Sequence, residues 1–228
     1  MNMKSKMLTA GVFALALSTG ANAAMVEMAG DGFKISYDDS LVGLFGTPIL
    51  AGNSIEFAPG GSPGYTAQTD SGVDVTNSTF SMVVTADEGK FLDGFNLSEQ
   101  GSYFSFGDSA GVDVSGKLTV KPLVPNGPIM SETIASDSSF EGTATPSFEA
   151  KEWTSTTGFS DLNLTSAIVS IQSILAAYVV PPVAGASYAF IEKTNSSLLV
   201  SAVPEPEVYA MMFAGLGLVG FVARRRMA

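Results

Sequence analysis

The 228 residues include no cysteine and no histidine, so carboxylates, hydroxyls and aromatic rings are the first places to look for chemistry. That absence removes the disulfide framework, the thiolate zinc site and the cysteine nucleophile. It also removes the Ser-His-Asp triad and every imidazole ligand for zinc, copper or iron. Acidic residues in loops suit calcium, a hard cation that takes oxygen ligands. The candidates are Asp70 and Asp74, Asp108 and Asp113, and the neighbours Asp38 and Asp39. None follows the spacing of an EF-hand loop, and Asp and Gly are also the residues that tight turns require. Glu99, Glu149 and Glu152 are carboxylates of the kind that hydrolyse glycosides in pairs, but no spacing singles out a pair. Tyr65, Tyr103 and Trp153 have the ring types that stack on sugars, and each equally suits a core or a strand surface.

The elements that must position these residues follow a period of two. Phe33-Lys34-Ile35-Ser36-Tyr37 alternates apolar and polar, as does the stretch around Ile55-Glu56-Phe57. Runs at 80–84, 91–97, 103–106, 112–120, 162–164, 168–171, 188–191 and 198–200 continue it. Turn clusters separate them, among them Ala58-Pro59-Gly60-Gly61, Asp70-Ser71-Gly72, Asp87-Glu88-Gly89, Pro125-Asn126-Gly127-Pro128 and Pro181-Pro182. Many short strands with such turns predict an all-β fold, a β-sandwich. Residues 166–178 also fit a period near 3.6, so a short helix is the alternative there. Asp70-Ser71-Gly72-Val73-Asp74-Val75 and Asp108-Ser109-Ala110-Gly111-Val112-Asp113-Val114 resemble each other and each precede a strand-like run. Residues 127–148 are polar, weakly patterned and read as a flexible section.

Both ends differ from the middle. Lys4 and Lys6, an apolar run over 7–17 and Ala21-Asn22-Ala23 form the pattern of a secretory signal peptide, with Ala21 and Ala23 at the cleavage site. At the other end an uncharged run, 208–223, is followed by Arg224-Arg225-Arg226. Sixteen helical residues at about 1.5 Å each span about 24 Å, the short end for a membrane helix, which snorkelling arginines help to complete. The arginines hold that end on the cytoplasmic side. The predicted organisation is a signal peptide helix at 1–23, an exported β-rich domain at 24–202, and a tail at 203–228 with a transmembrane helix at 208–223.

The exported part holds 20 acidic residues and six lysines, 6 − 20 = −14, and no arginine. Such a field repels nucleic acid and anionic lipid and favours cations or cationic polymers.

Val203-Pro204-Glu205-Pro206, Tyr209-Ala210, the glycine-spaced apolar core and the arginine cluster together resemble the PEP-CTERM sorting tail of Gram-negative bacteria. The resemblance covers about a tenth of the chain. It implies Pro204, Glu205 and Pro206 as the recognition triplet, 208–223 as the anchor, and Arg224, Arg225 and Arg226 as the cytoplasmic stop. It further implies export across the inner membrane, transient single-pass anchoring, removal of the tail by an exosortase-type membrane enzyme, and a biofilm or exopolysaccharide setting. The same tail is also called an ice-binding protein C-terminal domain, a name from which no ice binding follows. The expected function is a non-enzymatic, exported structural or adhesive protein of an extracellular matrix. A carbohydrate- or calcium-binding module is the first alternative and a secreted carboxylate hydrolase the second. No cofactor other than calcium is expected.

Overall fold

A computed structural model describes residues 24–60, 64–107, 109–125, 127–180 and 185–227. Among the described residues there are twelve strands: β1 (Met25–Ala29), β2 (Phe33–Asp38), β3 (Ile49–Ala51), β4 (Ser54–Phe57), β5 (Thr66–Thr69), β6 (Gly72–Ala86), β7 (Lys90–Phe106), β8 (Ala110–Pro122), β9 (Met130–Ala135), β10 (Lys151–Phe159), β11 (Ser166–Val179) and β12 (Tyr188–Pro204). One α-helix, α1 (Pro206–Met227), follows. The first sheet runs β1-β2-β6-β11-β8-β9 and the second β10-β7-β12-β4-β3, with β5 also paired to β12. Every named pairing is antiparallel.

The alternation read from the sequence is the alternation between core and solvent. Along β11 every second side chain from Ala167 to Val179 is buried, which only a strand can achieve. The helical alternative for 166–178 is therefore wrong; its Ile, Val and Leu are the inner row of a central strand. Between the sheets, Phe45, Phe57, Phe80, Tyr37 and Tyr65 meet mostly edge to face, at centroid separations of 5.1–6.2 Å. Phe45 comes from a 3-10 turn (Gly43–Phe45), anchored where Leu44 N–H donates to Ser78 Oγ at 3.1 Å. With no disulfide available, stability rests on burial of this core, in which the rings pack with Ile, Leu and Val from both sheets.

The weakly patterned section at 127–148 contains β9, an edge strand on β8 whose one deep anchor is Ile134. A strand with a single buried side chain leaves almost no period to read. The two similar Asp-Val segments both run into strands of the first sheet. They lead into β6 and β8, which flank β11 from either side one residue out of step: across Ala177, Asp74 is level with Val112 and not with Asp113.

At the C-terminus the second sheet extends into the start of the predicted tail at 203–228. Val203 pairs with Phe91 and Pro204 with Lys90, and Glu205 N–H donates to Gly89 O at 2.9 Å. Proline is tolerated because β4 and β5 pair only with earlier parts of β12, so no ladder needs its missing N–H. Along α1, Met211, Phe213, Leu216, Leu218 and Val219 are all exposed. Among the described residues no helix is long and apolar enough to cross a membrane. The signal peptide, with Ala21 and Ala23, lies outside the described residues, as does Asp108.

Candidate surface site on the second sheet

Strand parity decides which side chains of the second sheet face solvent. On β7, Phe95, Leu97, Glu99, Gly101 and Tyr103 point inward, so Gln100, Ser102, Phe104 and Phe106 share the outer face. Register brings β12 alongside: Phe190 opposite Phe104, Tyr188 opposite Phe106 and Glu192 opposite Ser102. On the other flank β10 sets Glu152 opposite Ser102 and Thr154 opposite Gln100.

The result is a surface with two halves. One is a groove of about 240 Å³ lined by Gln100, Ser102, Glu152, Thr154, Glu192 and Thr194. Ser102 Oγ donates to Glu192 Oε1 at 2.7 Å, which fixes one carboxylate at its edge. Gly101 and Trp153 close its floor, where the indole N–H donates to Glu192 O at 2.9 Å. The other half is aromatic. Phe104 stacks on Tyr188 and Phe190, with planes 17° and 20° apart, and Phe106 stacks on Tyr188 at 24°. Phe148 meets Phe104 and Phe106 edge on and remains 70% exposed. Tyr188 O–H is tied to Gln68 Oε1 at 3.0 Å. A polar trough and an exposed ring on the same sheet face can take hydroxyl groups in one half and an apolar C–H face in the other.

The aromatic residues singled out from sequence type are elsewhere. Trp153 and Tyr65 are 1% exposed and Tyr103 is 5% exposed, so none can stack on a ligand. Each phase matches the buried row of its strand or loop, whereas Phe104 and Phe190 are out of phase with it. Parity counted from Phe95 and Leu97 was the signal for the outer aromatics, and ring type alone hid it.

The carboxylates also separate. Glu99 is sealed in the core, its Oε1 2.8 Å from Lys193 Nζ, and no substrate can reach it. Glu152 borders the groove, and Glu149 lies beside Phe104 with Glu141, Ser147 and Lys151. Asp38 accepts from Ser40 N–H at 2.9 Å and Asp39 from Ala24 N–H at 3.1 Å. Asp70 accepts from Ser71 Oγ at 3.1 Å, a turn contact, and Asp74 from Gln68 N–H at 2.9 Å. Asp113 is opposite Ala176 while Asp74 is opposite Ala177, so the two point to opposite faces of the first sheet. They cannot share a cation. Among the described residues no three acidic side chains gather as metal ligands.

Burial and the Glu99 charge push the Tyr65 phenol well above the ordinary tyrosine range, against hydrogen bonds with Ser78 and Ser173. Burial lowers the pKa of Lys193, partly offset by Glu99.

The C-terminus carries a PEP-CTERM protein-sorting motif: the family model matches residues 202–226. That motif implies export, membrane-associated sorting and processing by an exosortase. No curated protein is similar enough to count as a relative. Among solved structures, the chain is similar to the infectious bursal disease virus Gt strain structure at 12% identity and a TM-score of 0.31, covering 86% of this chain and 50% of that one. It thus spans half the length of that viral chain. It is similar to TmCBM61 in complex with beta-1,4-galactotriose at 12% identity and a TM-score of 0.20, covering 61% and 87%. A structure described as "CBM4 structure and function" matches at 11% identity and 0.18, covering 77% and 88%.

Proposed function

We propose that the chain is an exported, non-catalytic surface protein that its sorting tail holds at the inner membrane and then passes to the cell surface or medium. There the sandwich acts as an adhesive or structural element of an extracellular polysaccharide matrix, gripping glycan on the outer face of the second sheet. The outer face of the second sheet carries this reading: the groove at Ser102 and, two residues along β7, Phe104 with the exposed ring of Phe148 against it. Glu152 and Glu192 at the groove, with a net charge of about −14 on the exported part (6 − 20), disfavour acidic polymers. The glycan is therefore neutral or amino-bearing. The exposed apolar side chains of α1, among them Met211, Phe213, Leu216 and Leu218, suit contact with lipid.

Affinity gel electrophoresis tests the reading with neutral galactan and glucan, deacetylated amino-glycan and acidic alginate in separate gels. The expected result is retardation by a neutral or amino-bearing polymer that is lost in a Phe148→Ala/Phe104→Ala variant. Unchanged mobility in all of them, or retardation that survives the variant, would remove the outer face as a glycan site.

A further inference from the structure

The centre of the sandwich holds a charged group that the surface site does not use. Glu99 on β7 and Lys193 on β12 both face inward from the second sheet, and both side chains are fully enclosed. Lys193 Nζ donates to Glu99 Oε1 at 2.8 Å. Ser173 Oγ, reaching across from β11 in the first sheet, donates to the same oxygen at 2.6 Å, and Ser196 Oγ does so at 3.3 Å. Glu99 Oε2 is buried and has no hydrogen-bond partner among the described residues. The rings of Phe45 and Tyr65 lie over the amine, 4.5 and 4.3 Å from Nζ to their centroids.

This asymmetry is unusual for a resting ion pair. A buried carboxylate is best held when both oxygens accept hydrogen bonds, and desolvating two charges costs more than a well-packed apolar pair would. Here three donors converge on one oxygen while the other is bare. That is the arrangement of an acyl group about to be attacked: donors at the oxygen where charge develops, and a free oxygen to leave.

We propose that Lys193 and Glu99 condense into an amide that ties β12 covalently to β7. A proton passes from Nζ to the carboxyl, turning the ion pair into amine and acid with no change in net charge. The amine lone pair attacks Cδ and the N–C bond forms. Negative charge gathers on Oε1, where the Ser173 and Ser196 hydroxyls already point. The Cδ–Oε2 bond then breaks and Oε2 departs as water. Both hydrogens of that water come from the original ammonium, which keeps one as the amide N–H. Nothing is oxidised or reduced, and no co-reactant is needed.

Geometry supplies the drive. The two groups are held in contact, which replaces a bimolecular encounter by a local one. Burial lowers the Lys193 pKa, which favours the free amine. The product exchanges two enclosed charges for one neutral amide, in a core with little water to reverse the step. The position also has a use. β12 continues directly toward the sorting tail, so tension on the tail peels β12 from β7 starting at the Pro204–Lys90 pair. A cross-link at Lys193 would stop that peeling.

Tryptic mapping of the full chain after denaturation tests this. Trypsin does not cut after an acylated lysine. The expected result is a branched species joining 91–117 to a peptide uncut at Lys193, lighter than the sum of its parts by one water. A Glu99→Leu/Lys193→Met variant is expected to release 91–117 unbranched. Recovery of unmodified 91–117, with normal cleavage after Lys193 in the wild-type chain, would overturn the proposal.

Discussion

Gly101 is the residue on which the groove floor depends, and Gly101→Ala is the perturbation that tests the packing most directly. A Cβ built there would be 1.8 Å from Glu192 O and 2.7 Å from Trp153 Nε1. Neither neighbour can yield cheaply. Glu192 O is backbone of the paired strand, and Trp153 is held between the sheets with its indole N–H on that same oxygen. To fit the methyl group, β7 must move from β12 or the indole must give up its bond. A buried donor left unpaired costs about 1–3 kcal/mol. Overpacking of a tight core costs about 1–3 kcal/mol more. The sum is centred near 4 kcal/mol, which for a domain of this size lowers Tm by about 8–16 °C. Gly72→Ala is the control. Nothing lies within 4 Å of its Cβ, but its φ of 77° penalises any side chain, by about 1–2 kcal/mol. Thermal unfolding followed by near-UV circular dichroism reads both, because Trp153 is the single tryptophan. If Gly101→Ala lowered Tm no more than Gly72→Ala, the close contact between β7, Trp153 and Glu192 would be refuted.

Three further outcomes are expected. Phe104→Ala together with Phe190→Ala should weaken glycan binding at least about tenfold, since stacking and hydrophobic contact of two rings exceed 1.4 kcal/mol, with far-UV dichroism unchanged; full binding by a folded variant would exclude the aromatic half. The Tyr65 phenol is raised in the folded protein, so its stabilising effect is complete below the unfolded value of about 10 and is lost as pH rises above it. Alkaline titration by phenolate absorbance should therefore show Tyr65 ionising only with unfolding, and Tyr65→Phe should remove that alkaline loss. Replacing Pro204, Glu205 and Pro206 by alanine should leave the tail uncut and the protein in the membrane fraction; unchanged mass and location would show that the triplet is not what is recognised.

The strands were legible because each has one face in the core, and a two-sheet core turns that into a period of two. β11 was ambiguous only because its outward positions also carry apolar or small residues such as Ile168, Ile174 and Ala176. β9 was hidden because one buried side chain makes no period. The site was less legible. Phe104 and Phe190 are in reach of each other only through a register between strands far apart in sequence, and Phe148 joins them from an irregular segment. Glu99 and Lys193 did carry a local sign: each falls in phase with a buried row, Leu97 and Tyr103 on one strand, Ala189 and Ile191 on the other. A charge at a core parity indicates a partner, but the partner's identity depends on the pairing.

The end of β12 sets the order in which events can occur. A single residue, Glu205, separates Pro204 in the sheet from Pro206 in the helix. There is no slack between the folded sheet and the triplet that the sorting resemblance implies for recognition. An enzyme that draws the triplet into an active-site cleft needs several residues of extended chain, and here those residues are hydrogen-bonded to Gly89 or paired with β7. Access then comes from fraying of the last β12 pairs. With the triplet as the segment engaged, the cutting rate is expected to follow how often that strand end opens, so that a sandwich folded completely before it meets the enzyme is cut more slowly than one caught while β12 is still docking.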